Sequence, residues 1–243
     1  TDVSSKTWCY SGVKTAYNKG IMLGYTDKTF RPNNNVSWAE AITIAARIHA
    51  AYNDNLIAEP SQNEAWFMTY YRYCSERGML PSATPAVSKL SQSINRYNLA
   101  YLFAKTIDDQ DMPKICDYAI GDLSSIPGYY KASVEKLYAA GVMIGMDSSY
   151  RFCGTGTTSR GQIATVISRL VEPALRQGHD SKVNADMAAY EANLENDSIA
   201  VQIGKTNYCL YKGYDTVDTV SYGLYAVSSS GVSTKLYSAA VGQ

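Results

Sequence analysis

Apolar residues recur through the first 171 residues at the spacing of helices that bury one face. The clearest run falls at positions i, i+3, i+4, i+7 and i+8 of one segment: Ile163, Val166, Ile167, Leu170 and Val171. Two further segments follow nearly the same spacing, through Leu99, Leu102, Phe103 and Ile107, and through Ile44, Ile48 and Ala51. Since a single short helix cannot bury such a stripe, the pattern predicts a mainly α-helical fold whose helices pack on one another.

Each of these helices follows another helix that ends at a glycine. The three glycines are Gly20, Gly78 and Gly141, and the residues after them are apolar: Ile21, Met79 and Val142. Glycine just after a helix adopts the left-handed conformation, and the next apolar residue packs back on the last turn. Upstream, Val13 and Tyr17 correspond to Val134 and Tyr138, and this spacing predicts that each pair lies on one helical face.

Capping residues mark the start of each second helix. Ser37 with Glu40, and Ser159 with Gln162, fit the capping box, and Asn95 can cap the middle copy. The cap follows the glycine by 17, 17 and 18 residues in the three copies. We therefore predict three helix-loop-helix repeats, over residues 1–58, 59–118 and 119–178, with the second repeat divergent.

The spacing of apolar residues changes after Pro173. Residues 180–194 have the spacing of one more helix, and from Ser198 four short segments alternate like strands, separated by Gly, Asp and Ser. We predict that residues 179–243 form a linker helix and a small β-rich tail. Four short strands make a marginal domain alone, so the tail packs on the helical part, pairs with another chain, or begins a larger domain.

Composition excludes several classes of protein. The 243 residues carry 22 Lys and Arg against 22 Asp and Glu, so the chain lacks the positive field of a non-specific nucleic-acid binder. No apolar run reaches the roughly 18–20 residues of a membrane span, and we expect no membrane insertion. The chain begins at Thr1 with neither Met nor an apolar leader, so we expect a processed or excised segment.

The sequence contains little that resembles catalytic chemistry. Five cysteines are an odd number and none is spaced for zinc, so they are small buried hydrophobes or include one long-range disulfide. His49 is expected to be structural, and the acidic run Asp108–Asp111 lacks the glycine and glutamate of an EF-hand and is expected to be a solvated loop. Since no nucleophile, phosphate-loop or metal motif is present, we predict a protein that is not an enzyme and uses no cofactor or metal.

The stretch GIMLGYTDKTFRPNNNVSWAEA, from Gly20 to Ala41, resembles the S-layer homology (SLH) motif. The start of the chain, Thr1-Asp2-Val3, and the segment Ile120-Gly121-Asp122-Leu123 are similar to the opening of such a repeat. The resemblance covers about residues 1–173. It implies a pseudo-threefold α-helical spindle on a bacterial cell surface that binds secondary cell-wall polysaccharide non-covalently, often through a pyruvylated sugar.

Arg96 and Arg160 are the candidate anion-binding residues. Each follows a helix cap, where free backbone N–H groups and the helix dipole favour an anion and a guanidinium matches a carboxylate. In the first repeat this position is Trp38, which either stacks on a sugar ring or leaves the groove without function. The other candidate contacts are Asp2 and Asp122, which bind sugar hydroxyls or cap the first helices, and the caps Ser37, Ser159 and Asn95, which contact sugar secondarily.

These observations predict a secreted protein of the cell wall or S-layer that is anchored through wall polysaccharide in the grooves between repeats. Two alternatives remain open. One is a self-assembling structural subunit, of an S-layer or a filament, whose β-rich tail contacts other copies of the chain. The other is the anchor half of a surface hydrolase whose catalytic domain lies outside this sequence.

Overall fold

The computed structural model describes residues 2–58, 61–116 and 119–177, together with the backbone of four strands between residues 198 and 241. The chain divides into two compact units, Thr1–Gln177 and Gly178–Gln243. The predicted helix at residues 180–194 lies outside the described residues. The mainly helical fold of the first unit is confirmed, and none of the described helices is long and apolar enough to cross a membrane.

The described residues of the first unit form six α-helices. They are α1 (Tyr10–Asn18), α2 (Trp38–Tyr52), α3 (Met68–Glu76), α4 (Arg96–Ala104), α5 (Gly128–Ala139) and α6 (Arg160–Val171). Short 3₁₀ turns lie at Val87–Lys89, Asp109–Asp111, Leu123–Ser125 and Pro173–Leu175. In the second unit, β1 (Ser198–Ile203), β2 (Thr206–Thr216), β3 (Thr219–Val227) and β4 (Ser233–Val241) form an antiparallel sheet in chain order.

The predicted signals that end the first helix of each repeat are confirmed. Gly20, Gly78 and Gly141 have φ angles of 65°, 61° and 68°. The residue after each glycine is buried, and its N–H donates to the carbonyl five residues back, as in Ile21 to Ala16 at 3.0 Å. This is the Schellman arrangement, which satisfies carbonyls that the helix end would otherwise leave unpaired.

The predicted caps of the second helices are also confirmed. Ser37 and Ser159 form capping boxes with Glu40 and Gln162, and Asn95 accepts a hydrogen bond from the backbone N–H of Asn98. The cap segments also join the three repeats, because isolated bridges connect residues 35 to 159, 37 to 93 and 95 to 157. These bridges form a closed cycle, which we call the cap triangle. Its central residues Val36, Ile94 and Thr158 are fully buried.

Helices pair across repeat boundaries rather than within repeats. The first helix of each repeat packs on the second helix of the preceding one: α3 on α2, α5 on α4, and α1 on α6. The last pair closes the ring of repeats and is very close, since a Cβ added to Gly12 would lie 2.8 Å from the backbone of Thr165. The core between the helices is continuous and includes Ile42, Leu99, Phe103, Leu137, Ile163 and Ile167.

The first helix of repeat one differs in burial from its counterpart in repeat three. Tyr138 of α5 is buried, but Tyr17, its counterpart in α1, is 58% exposed. The buried residues of α1 are Gly12 and Ala16, one helical turn apart. Because α1 approaches α6 so closely, only small side chains fit in the interface, and the tyrosine lies outside it.

The cysteines in the described part of the chain are free thiols. Cys9, Cys74 and Cys116 are buried, as expected of small hydrophobes, and Cys153 is half-buried. Burial raises the pKa of the Cys74 thiol to about 12, so this thiol stays protonated near neutral pH. The side chain of Cys209 is not among those described.

Candidate functional site

Arg160 inserts its side chain into the loop of the first repeat. It is only 4% exposed, and all three guanidinium nitrogens donate hydrogen bonds. Nε donates to the Phe30 carbonyl at 2.8 Å, Nη2 to the Leu23 carbonyl at 2.9 Å, and Nη1 to Oε1 of Glu40 at 2.5 Å. The ion pair with Glu40 is nearly shielded from solvent and neutralises the buried charge.

Aromatic rings complete this first groove, which lies between repeats three and one. The Arg160 guanidinium carbon lies 4.7 Å from the ring centres of both Tyr25 and Phe30. Arg31, from the same loop, lies 4.2 Å from the Tyr25 ring centre, and the Tyr25 hydroxyl donates to Glu40 at 3.3 Å. Burial raises the pKa of the Tyr25 phenol, so it remains a hydrogen-bond donor.

Arg96 occupies the equivalent position in the second groove, between repeats two and three. It is also 4% exposed; Nε donates to the Phe152 carbonyl at 3.0 Å and Nη2 to the Ile144 carbonyl at 3.3 Å. The guanidinium carbon again lies 4.7 Å from the centre of a phenylalanine ring, that of Phe152. The two loop carbonyls and the phenylalanine ring thus correspond to those around Arg160, whereas no tyrosine ring among the described residues corresponds to Tyr25.

The two grooves differ at the third guanidinium nitrogen. Among the described residues, no carboxylate lies within 4.0 Å of the Arg96 guanidinium, and Nη1 has no hydrogen-bond partner there. Arg160 of repeat three contacts Glu40, which is the third residue of the second helix in repeat one. Arg96 of repeat two inserts into repeat three, so the residue that corresponds to Glu40 is the third residue of α6, Gln162. Burial without a paired carboxylate lowers the pKa of Arg96 to about 10, with the charge of Asp122 opposing the shift.

Trp38 fills the third interface, between repeats one and two. The indole is 6% exposed and belongs to the hydrophobic core, which leaves it little surface for stacking on a sugar ring and favours the other alternative, a groove without function. The second repeat carries Ser88 where the other loops have Phe30 and Phe152. The Trp38 indole therefore occupies the space that an arginine and a phenylalanine fill in the other two interfaces. This interface has no cationic side chain at that position.

The expectation of free N–H groups in the first helical turn is also wrong. The first two N–H groups of each second helix donate to loop carbonyls of a neighbouring repeat: α2 to repeat two, α4 to repeat three and α6 to repeat one. In α6, Arg160 N donates to Asn34 O and Gly161 N donates to Pro32 O, both at 2.8 Å. In the same way, α4 uses the carbonyls of Gly156 and Gly154, and α2 those of Gln92 and Leu90. The repeats thus satisfy these donors themselves, and any anion site depends on side chains.

Asp2 and Asp122 organise the loops beside the two arginines. Asp2 accepts from the N–H groups of Phe30 and Arg31, both at 2.7 Å, and Asp122 accepts from Phe152 and Cys153, at 2.6 and 3.0 Å. The hydrogen bond from Phe30 is the main cause of the lowered pKa of Asp2. Neither carboxylate caps a first helix, because Cys9 and Pro127 stand at those positions.

The structure therefore brings the predicted residues together in two pairs, Arg160 with Asp2 and Arg96 with Asp122, each through one loop. Ser37, Ser159 and Asn95 lie in the cap triangle with their side chains committed to capping. The sequence analysis missed the two residues that distinguish the grooves, Glu40 and Gln162. The signal was present, because the closing residue of the capping box is acidic in one repeat and an amide in the other.

The S-layer homology domain family matches this chain at residues 1–42 and 119–164. These segments contain both arginine-binding loops and the start of α6. These two segments of the chain are similar to the S-layer homology domain. The SLH matches include Asp2, Glu40, Asp122 and Arg160, whereas Arg96 lies in the divergent repeat between them.

Two relatives are similar to part of the chain. The middle cell wall protein of Brevibacillus brevis is 34% identical over 84 residues, which are 35% of this chain and 7% of that protein. The surface layer protein of Brevibacillus choshinensis is 38% identical over 66 residues, 27% of this chain and 5% of that protein. The chain thus matches less than a tenth of the length of either relative.

Proposed function

We propose that this protein is anchored non-covalently to the bacterial cell wall and that its SLH unit binds an acidic wall polysaccharide. The family and the two named relatives indicate an extracellular location at the cell surface. The polysaccharide is recognised through a carboxylate, such as a pyruvyl substituent, in the groove that contains Arg96.

The observation that carries this proposal is the nearly buried guanidinium of Arg96, which has no paired carboxylate among the described residues. Burial disfavours its charged form, and a ligand carboxylate offsets that cost. Nη1 is the nitrogen without a partner among the described residues, while Nε and Nη2 are fixed by loop carbonyls. The guanidinium is therefore held in place before the ligand arrives, which reduces the entropy lost on binding.

Arg160 is the weaker anion site in this proposal. Its third nitrogen already binds Glu40, and a ligand carboxylate must compete with that side chain. The Trp38 interface contributes no charge. One groove of the three is thus the principal site for the acidic substituent.

Reciprocal substitutions in full-length protein test this assignment. Gln162→Glu supplies Arg96 with the carboxylate that Arg160 has, and we expect its affinity for purified wall polysaccharide to fall at least tenfold. Glu40→Gln removes the competing carboxylate at Arg160 and is expected to increase binding. Polysaccharide from which pyruvate has been removed serves as the ligand control. Unchanged binding by Gln162→Glu, together with equal binding of the two polysaccharides, would refute the proposal.

A second candidate function is self-assembly through the β-rich tail. The sheet order leaves β1 paired only with β2, and β4 only with β3, within the described strands. Edge strands present backbone N–H and C=O groups to which another chain can add. Light scattering of the full chain and of a chain ending at Gly178 separates the two functions. Polymers that form only when the tail is present would support self-assembly. Monomers of both chains would count against it.

A further inference from the structure

A polar cavity of about 510 Å³, wide open to solvent, lies at the other end of the second helices from the cap triangle. His49, near the end of α2, and Lys105, just after α4, both line it. At 1.5 Å per helical residue, His49 lies about 16 Å along α2 from its first residue, and Lys105 about 13 Å along α4 from Arg96. The cavity is therefore separate from the Arg96 groove.

Its basic side chains fall into two groups. Lys136 is fully engaged, because its ammonium group donates to the carbonyls of Ala104 and Ile107 and to Asp109 Oδ1, each at 2.7 Å. Arg77 and Lys105 are held differently. The Arg77 guanidinium carbon lies 3.8 Å from the ring centre of Tyr73, and the Lys105 ammonium 5.2 Å from that of Tyr101. Arg77 also donates to the Tyr73 carbonyl at 3.4 Å and forms an exposed ion pair with Glu76, with 3.8 Å between Nη1 and Oε2. Such an exposed pair is weak, so the Arg77 cation can exchange Glu76 for an anionic ligand. Lys105 has no carboxylate partner among the described residues, and its contact with the Tyr101 ring orients it.

His49 adds a neutral polar group to the wall. Its Nδ1 lies 2.8 Å from the hydroxyl of Tyr73, so the partly buried ring has Nε2 left for a ligand. Burial, and then the charge of Arg77, lower its pKa. The other titratable groups that line the cavity are Lys105, Lys136, Asp108 and Asp109.

The charge and size of the cavity define the class of ligand. The lining holds three basic and two acidic side chains with His49 neutral; Lys136 pairs with Asp109, and Arg77 pairs weakly with Glu76 outside the lining. Only Met79, Ala104 and Ile107 in the lining are apolar, which disfavours a hydrophobic ligand. The volume lies within the range of small-molecule sites and exceeds what a bare anion fills. Asp108 and Gln110 can accept from hydroxyl groups.

We infer that this cavity is a second binding site, for a single sugar that carries a carboxylate or a phosphate. Arg77 and Lys105 pair with the anionic group, and His49, Asp108 and Gln110 contact the hydroxyls. The inference goes beyond the proposed function because it concerns another surface and does not depend on Arg96.

The chain contains two histidines, so the imidazole NMR signal of His49 is a direct probe. His179→Asn assigns it. Glucuronate and glucose 6-phosphate, added to full-length protein at constant ionic strength, are expected to shift the His49 signal saturably and to raise its pKa, because they bring negative charge. Glucose is the neutral control and inorganic phosphate the control without a ring. A larger response to glucuronate than to glucose 6-phosphate identifies the carboxylated sugar as the ligand, and the reverse identifies the phosphorylated one.

Variants of the two cations complete the test. Arg77→Gln and Lys105→Gln are each expected to weaken binding about three- to fivefold, as for partly exposed ion pairs, and the double variant more than tenfold. Arg72→Gln is the matched control, since Arg72 lies in α3, which ends just before Arg77, and pairs with Glu64 outside the cavity. Absence of a saturable shift overturns the inference, as does phosphate binding as strongly as either sugar. Gln162→Glu is expected to leave the response intact; if it abolishes the response, the site is not separate.

Discussion

Thr158 offers a measurable test of the cap triangle. It is fully buried with Val36 and Ile94, yet its hydroxyl has no hydrogen-bond partner in the described structure. A buried polar group without a partner costs about 1–3 kcal/mol, and replacement by an apolar group of the same shape removes that cost. Thr158→Val should therefore stabilise the protein by about 1–2 kcal/mol.

The expected change in melting temperature follows from the size of the unit. For a domain of this length, 1 kcal/mol corresponds to about 2–4 °C, so Thr158→Val should raise Tm by about 3–6 °C. Thr106→Val is the matched control. Thr106 is also fully buried, but its hydroxyl donates to the Phe103 carbonyl at 2.7 Å, and its replacement should lower Tm by about 2–4 °C.

Calorimetry on the two variants, supported by urea denaturation, distinguishes the two hydroxyls. A fall in Tm for Thr158→Val as large as that for Thr106→Val would show that the Thr158 hydroxyl is satisfied. The expected stabilisation by an apolar side chain at the centre of the cap triangle would then be refuted.

Three further predictions follow from other contacts. Arg160→Ala should cost about 3 kcal/mol in urea denaturation, because it leaves a buried carboxylate unpaired, whereas Arg31→Ala in an exposed pair should cost much less. Hydrogen bonds from the Thr29 hydroxyl and then from Arg31 hold the pKa of Asp27 at about 2. The ionised Asp27 therefore contributes fully to stability above about pH 4, and this contribution is lost as the pH falls towards 2. Asp27→Asn should flatten that part of a curve of unfolding free energy against pH. Gly12→Ala should destabilise by about 1–3 kcal/mol through contact with the backbone of α6, while Gly128→Ala, with open space around it, should be neutral or stabilising in thermal unfolding.

Local features of the fold were predictable from the sequence. The glycine turns and the capping boxes depend on residues within one or two helical turns, and the φ angles and hydrogen bonds follow from those residue types. The position of Arg96 and Arg160 at helix starts was predictable for the same reason.

The surroundings of the arginines were not predictable, because they depend on which repeat packs against which. Arg160 and Phe30 are 130 positions apart in the sequence. The sequence does not reveal that the third repeat inserts into the loop of the first, and it therefore suggested free N–H groups at the helix starts. It also does not reveal how closely α1 approaches α6, which leaves Tyr17 exposed although Tyr138 is buried.

The exchange of hydrogen bonds around the cap triangle fixes the number of repeats. In an open solenoid each repeat contacts only its neighbours, so repeats can be added or removed at modest cost. Here the loop of the first repeat accepts from the helix of the third, and the ring has no free position for a fourth. Deletion of one repeat would leave an unmatched helix start at one end and an unmatched loop at the other. Such a fragment could complete its bonds only with a repeat from another molecule, so a shortened chain should dimerise or aggregate rather than fold as a smaller copy.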